Sequence, residues 1–325
     1  MISPWRIKQI FEAISGRRIL IAGDVMIDEY LRGNVNRLSP EAPVPIVDIE
    51  SESFHFGGAA NVAFNLKKLG CVPVMVGLIG NDRNGEIFLD LLRDEGITDE
   101  GILQLDDRPT TVKTRIIGGN QHLARVDREK IKYLADKQIK QVNDLIYGFL
   151  PQVDAIIFED YNKGLLAKEV IHFTINEAVK RDILSAVDPK FINFMEYQGA
   201  TVFKPNIKEA AQALALPIVT EDDARNAGFK LLNILNVKCV LLTRGSNGLS
   251  LFEDNGVMTE VPTRTRKVAD VSGAGDTVIS AMTAALCGGS TFQEAAQISN
   301  YAAGLVCEEV GIVPVMRDAL MKAFD

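Results

Sequence analysis

The chain has 325 residues, of which 47% are hydrophobic and 24% charged, with a net charge of −8. It is long enough to bury a substantial core, and its acidic balance argues against nonspecific nucleic-acid binding while leaving room for a local basic pocket. No apolar run reaches the roughly 18 residues of a membrane span, and the N-terminus lacks a continuous apolar signal segment, so a cytoplasmic protein is expected. The four cysteines (Cys71, Cys239, Cys287, Cys307) and three histidines (His55, His122, His172) are scattered, with neither disulfide nor metal-ligand spacing.

In chain order, Pro4 to Ile14 reads as a short amphipathic helix capped by Ser3. Arg18-Ile-Leu-Ile-Ala-Gly23-Asp24 has the pattern of a buried parallel strand delivering an acid at its C-terminal end, where open α/β sheets hold ligands. Asp24 and Asp28 read equally well as solvated loop acids. From about Glu29 to Phe56 there is no helical period, only three prolines and an extended run. A second extended stretch begins at Thr110, with a turn at Gly118-Gly-Asn120. Both are expected to form one β-lid over the mouth of the main sheet, spanning about residues 30–56 and 110–125. Gly57-Gly58-Ala-Ala-Asn61 opens a helix closed by Gly70. Its small residues allow a ligand to approach the backbone, and Asn61 can donate and accept toward hydroxyls. Tight helix–strand packing explains them equally.

The middle of the chain alternates strands near 155–158, 185–188 and 239–242 with helices near 136–150, 168–181 and 221–235. That alternation predicts an α/β fold: a mostly parallel central sheet with helices on both faces, residues 1–325 forming one domain with its lid. Asn206 and Glu209, three apart, are expected on one helix face. Thr243-Arg-Gly245-Ser-Asn-Gly248 is a glycine turn, and Asp254-Asn-Gly256 a hairpin turn.

Asp270-Val-Ser-Gly273-Ala274-Gly275-Asp276-Thr277 then runs into an apolar stretch that reads as a buried helix. A helix starting in a glycine turn points unpaired N–H groups and its positive dipole end at one spot, which suits a phosphoryl group in transfer. Asp276 beside it can take the proton from an attacking hydroxyl. Alone, Gly-Ala-Gly-Asp is more often an ordinary capped helix. Acids, Asn and Gly at the ends of successive strands tip the reading toward a ligand crevice and phosphoryl transfer. Neither a GxxxxGK[ST] loop nor a GxGxxG after the first strand is present.

Gly57-Gly-Ala-Ala-Asn61 with Leu69-Gly70, and above all Asp270 to Asp276, resemble the two signatures of the ribokinase (PfkB) family of carbohydrate kinases. Asn206-Ile-Lys-Glu209 looks like the family's NxxE element and Thr243 to Gly248 like its TxGxxG loop. Gly23 to Asp28, Arg37 to Ile46, Asn120 to Asp127 and Asp160-Tyr-Asn-Lys-Gly164 are similar to the heptose-7-phosphate kinases. The resemblance implies a ribokinase-like fold and transfer of phosphate from ATP to the anomeric oxygen of D-glycero-β-D-manno-heptose 7-phosphate, on the way to ADP-heptose and lipopolysaccharide core. It implies Asp276 as base and the Gly273–Ala274–Gly275 backbone as anion hole. Asn206 and Glu209 would position Mg²⁺ and phosphates through water, with room for a monovalent cation. Thr243, Gly245, Gly248 and the segment around Asn300 would line the ATP site, and Asp24, Asp28, Gly57, Gly58 and Asn61 the sugar site.

Two positions depart from the pattern: Asn162, where Gly is commoner, and the tail Gly311-Ile-Val-Pro314. With no HxGH-type motif before Asp325, only the kinase half of a kinase/adenylyltransferase is expected. The distal phosphate needs local cations. Arg115, Arg125, Lys163 and Lys190 are the candidates, Arg125 and Lys190 foremost. Exposed lid edges predict a homodimer through the lid. The rival readings are a kinase for another sugar, sugar phosphate or nucleoside, and a non-catalytic sugar or nucleotide sensor.

Overall fold

The structure, a computed structural model, describes residues 2–119, 121–263 and 268–325; Asn120 of the predicted turn lies outside them. Helix α1 (Pro4–Ala13) leads into β1 (Arg18–Gly23), the long strands β2 (Val25–Leu38) and β3 (Pro45–Gly58), α2 (Ala59–Leu69) and β4 (Val72–Gly80). Next come α3 (Arg83–Asp94), β5 (Ile102–Leu105), β6 (Val112–Gly118), β7 (Gln121–Arg128), α4 (Asp136–Phe149), β8 (Ala155–Glu159), α5 (Lys168–Lys180) and β9 (Leu184–Asp188). The rest is β10 (Val202–Phe203), α6 (Ile207–Leu214), α7 (Glu221–Leu235), β11 (Cys239–Thr243), β12 (Leu249–Glu253), β13 (Met258–Val261), α8 (Ala274–Cys287), α9 (Phe292–Cys307) and α10 (Arg317–Lys322).

Nine strands form one sheet in the order β13-β12-β11-β10-β9-β8-β1-β4-β5. Every pair from β5 to β11 is parallel, and only the β11–β12 and β12–β13 pairs are antiparallel. The parallel strands read as nearly unbroken apolar runs because both their faces are covered. Alternation sorts them: Ile19, Ile21 and Ile157 join a core with α1, α2, α8, α9 and α10. Leu20, Ala22, Ile156 and Phe158 join a second core with α4, α5, α6 and α7 on the opposite face. Each such fully buried aliphatic side chain is worth about 1.5–3 kcal/mol.

The lid is a four-stranded sheet, β3-β2-β6-β7. Its strands run over residues 25–58 and 112–128 against the predicted 30–56 and 110–125: the first segment reaches further at both ends, and the second begins two residues later and ends three later. β2 begins two residues after β1, so the lid is rooted where the first core strand stops. In the lid, Asp28 is paired in register with His55 and Lys113, and Tyr30 with Ser53 and Arg115. These face one side. Leu31, Ile116 and Val126 alternate onto the other.

A close approach in the second core gives a test of packing against propensity. A Cβ on Gly228, inside α7, would sit 2.2 Å from the ring of the fully buried Phe252. Helix propensity alone favours Ala over Gly by about 1 kcal/mol. Overpacking a core costs about 1–3 kcal/mol, so Gly228→Ala is expected to lose stability, by up to about 2 kcal/mol. An urea midpoint equal to or above wild type, at unchanged slope, would show that the ring yields freely.

Candidate active site

Helix α8 begins at Gly273, whose φ of 77° lies in the left-handed region and whose absent Cβ would stand 2.8 Å from Asn61 Nδ2. Only glycine meets both demands. The N–H groups of Ala274 and Thr277 donate to the carbonyls of Val271 and Gly273. That leaves those of Gly275 and Asp276, in the first turn, for a ligand. Residues 276–285 are buried throughout, as the apolar run predicts.

Asp276 is held by two donors from different parts of the chain. Asn61 Nδ2 on α2 donates to Oδ2 at 2.7 Å, and the Tyr161 hydroxyl, just past β8, donates to Oδ1 at 3.1 Å. Asn61 is itself held, because Asn65 Nδ2 donates to its carbonyl at 2.9 Å and Val315 N donates to Asn65 Oδ1 at 2.9 Å. Burial pushes the Asp276 carboxyl up to about 6, against the pull of Asn61 and with a further push from Asp188. A carboxyl in that range is poised to accept a proton near neutral pH.

The ends of three adjacent parallel strands supply the rest. Glu159 ends β8, Asp188 ends β9 and Lys204 follows β10. Lys204 donates to Asp188 at 2.7 Å, both nearly inaccessible. Burial opposes the Lys204 charge, but Asp188 and Glu159 outweigh it and raise its pKa. Carboxylate oxygens of Glu159, Asp188 and Asp276 lie within 4.8 Å of one another. Glu159 Oε2 is buried without a partner, and burial with two acid neighbours drives that carboxyl well above its usual value. An orphaned hard oxygen beside two more fits a divalent cation. No cation was assigned to Glu159 or Asp188 from sequence. Their place at the tips of consecutive strands was the available signal.

Asn206 and Glu209 carry a correction. They do not project side by side from a helix face: Asn206 caps α6 and Glu209 is its third residue, the two bonding each other's backbone N–H at 2.9 Å in a capping box. Glu209 Oε1 also accepts from Lys190 at 2.7 Å. Glu209 is thus tied to Lys190, while the carboxylate cluster is made by Glu159, Asp188 and Asp276. Asn206, Thr243 and Gly245 do come together, lining a cavity of about 390 Å³. Gly248 and Asn300 both abut the end of β13: a Gly248 Cβ would lie 2.1 Å from the Val261 carbonyl, and Asn300 donates to Pro262 O at 2.8 Å.

On the sugar side, Asp24 turns its carboxylate to the N–H groups of Tyr161, Lys163 and Leu165, at 3.0, 2.9 and 3.3 Å. It shapes the 160–165 loop rather than standing free. Asn162 in that loop has a φ of 55°, which explains why Gly or Asn occupies it. Asp28, at the lid root, is paired with Arg115 and sits 2.3 Å from where a Gly57 Cβ would be; a Gly58 Cβ would meet the Asp24 carbonyl at 2.5 Å. Both glycines are thus set by packing within the chain, with Tyr161 Cδ2 3.5 Å from the Gly58 position.

The expected phosphate cations are also engaged. Arg125 is exposed and pairs with Asp127, Lys163 pairs with Glu129, and Lys190 pairs with Glu209 while standing over the Tyr161 ring. Lys190 and Arg125 were the leading choices from sequence, and their partners explain why neither is free.

The raised Asp276 pKa has a consequence for folding. The native state holds an extra proton between about pH 4 and 6, so ionising Asp276 above pH 6 weakens the fold. Asp276→Asn removes that charge, and the neighbouring tyrosine hydroxyl can turn to accept from the new amide. Its stability in metal-free buffer at pH 7.5 should exceed wild type by on the order of 1–3 kcal/mol, with the gain gone below about pH 4. Urea unfolding at both pH values decides it, and a gain persisting at low pH would place its origin outside this carboxyl.

Similarity to known proteins agrees with the site. The bifunctional protein HldE of Desulfatibacillum aliphaticivorans is 38% identical over 93% of this chain and 62% of its own length. That of Geobacter sulfurreducens is 37% identical over 94% and 62%. The chain thus spans somewhat under two thirds of these relatives. Among solved structures, phosphofructokinase-2 of Escherichia coli with potassium matches with a TM-score of 0.78 at 18% identity, covering 95% of this chain and 98% of that one. Ribokinase of Arabidopsis thaliana with ribose and ATP matches at 0.74 and 18%, over 95% and 99%. These show a ribokinase-like fold. The pfkB family carbohydrate kinase model matches residues 17–318, and the chain belongs to that family.

Proposed function

We propose that the chain is an ATP-dependent sugar-phosphate kinase that phosphorylates the anomeric oxygen of D-glycero-β-D-manno-heptose 7-phosphate, giving the 1,7-bisphosphate used in ADP-heptose and lipopolysaccharide core synthesis. The single observation that carries the kinase reading is the buried Asp276 beside the open N–H groups of α8. The heptose assignment rests on the resemblance to heptose-7-phosphate kinases and on the relatives named HldE. We read residues 1–325 as one kinase unit with its lid, and the protein as cytoplasmic. Among the described residues no helix is long and apolar enough to cross a membrane, and all four cysteines are free.

In this reading the sugar's anomeric hydroxyl approaches Asp276, which takes its proton as the oxygen attacks the γ-phosphorus. Asn61 and Tyr161 keep the carboxylate aimed. The N–H groups of Gly275 and Asp276, with Lys204 nearby, meet the charge that builds on the transferred group. Glu159 and Asp188 would hold Mg²⁺, with Asn206 and Glu209 acting through water; the ion supplies charge neutralisation at the ATP phosphates. Thr243, Gly245, Gly248 and Asn300 would border the nucleotide. A sensor has no use for a base of raised pKa, which sets that alternative behind catalysis.

Asp276→Asn should lower kcat by at least about a hundredfold, the usual worth of a general base, with dissociation constants for ATP and sugar changed much less. Wild-type protein given ATP and heptose 7-phosphate should release ADP and the 1,7-bisphosphate. A variant retaining more than about a tenth of kcat would move the base away from Asp276.

The lid supports a homodimer. β3 and β7 are open edges, and the side turned away from the cleft exposes Val35, Ile49 and Val126. Light scattering at micromolar concentration should give a dimer, and Val126→Glu a monomer. A wild-type monomer would end this reading.

A further inference from the structure

Four cations were expected to meet the sugar's phosphate, and all four already have carboxylates. A fifth, Lys113 on β6, has none. It is half-buried, yet among the described residues no acid lies within salt-bridge distance of its ammonium, which stands over the ring of Tyr161, 5.3 Å from the centroid. The acids that feel its charge are Asp28, Glu129 and Asp127. Asp28 belongs to Arg115, Glu129 to Lys163 and Asp127 to Arg125. Among the described residues Lys113 thus has acidic neighbours on the lid but no ion pair of its own.

Its placement is set by the fold. Lys113 is paired in register with Asp28 on β2 and Asp127 on β7, so it shares the lid face that carries Asp28, Tyr30 and Arg115. The ring beneath it belongs to the tyrosine whose hydroxyl donates to Asp276. Tyr161 thus spans the distance from the base to the ammonium. Burial draws the Lys113 pKa below its ordinary value. A desolvated cation without a carboxylate gains more from an incoming anion than a hydrated surface lysine does.

We infer that Lys113 is the substrate-binding residue that selects sugars bearing a phosphate at the end remote from the reacting hydroxyl, with Arg115 beside it. The inference rests on the sugar-phosphate kinase reading above and adds the group that enforces it. A sugar bound with its anomeric hydroxyl at Asp276 runs along Tyr161 and ends its phosphate at the lid. There the ammonium replaces ring contact with a charge-assisted hydrogen bond.

The test compares wild type, Lys113→Met and Lys113→Arg on heptose 7-phosphate and on unphosphorylated heptose, and on other sugars with and without a terminal phosphate. Methionine keeps the stem that packs on Tyr161 and removes the charge. The expected result is a KM for the phosphorylated sugar raised about tenfold or more, with kcat and the KM for ATP little changed and no penalty on the unphosphorylated sugar. Arginine should restore most of the preference. Equal weakening of both sugars, or an unchanged KM, overturns the inference, as does a wild type that prefers the unphosphorylated sugar. If wild type ignores heptose 7-phosphate but takes another phosphorylated sugar through Lys113, the heptose assignment falls and the role of Lys113 stands.

Discussion

A carboxylate taken out of water must be held by donors, and the architecture is arranged around that requirement at Asp276. Its two donors come from α2 and from the loop after β8, and neither is sequence-near. Asn61 is fixed by Asn65, and Asn65 by the backbone of Val315 near the C-terminus. Tyr161 is fixed by a loop whose N–H groups converge on Asp24 at the end of β1. Two hydrogen bonds on one carboxylate therefore tie together the first strand, the second helix, the middle of the sheet and the last fifty residues. The donors only partly offset burial, so the carboxyl remains far more basic than an exposed aspartate. That basicity is what makes it useful as a base and expensive to fold.

The same economy governs the cations. Lys204 answers Asp188, Lys190 answers Glu209 and Arg115 answers Asp28. Breaking such a buried pair leaves an uncompensated charge, so these residues are committed before any ligand arrives. Two of the groups left unmatched are informative. Glu159 Oε2 lacks a donor beside two other acids, and Lys113 lacks an acid beside three that are taken. One wants a cation and the other an anion, and both neighbour the tyrosine that touches the base.

What the sequence determined by itself was local. Nearly continuous apolar runs and their alternation with helices specified the parallel sheet, because a strand buried on both faces has almost no freedom of composition. Gly273 and Asp276 were legible as a helix start because left-handed φ and close approach leave few residue choices. The hairpin at Gly256, with φ of 84°, was legible for the same reason. Asn206 and Glu209 were noticed, but their spacing is also that of a capping box, and the mutual bonds show that reading to hold in the fold. Tertiary structure alone decided who partners whom. Arg125 and Lys190 stood foremost in the sequence and Lys113 went unnoticed, since charge carries no mark of its neighbour. Only the register of β6 with β2 and β7, and the meeting of β9 with α6, revealed that Arg115, Arg125 and Lys190 are paired while Lys113 is not.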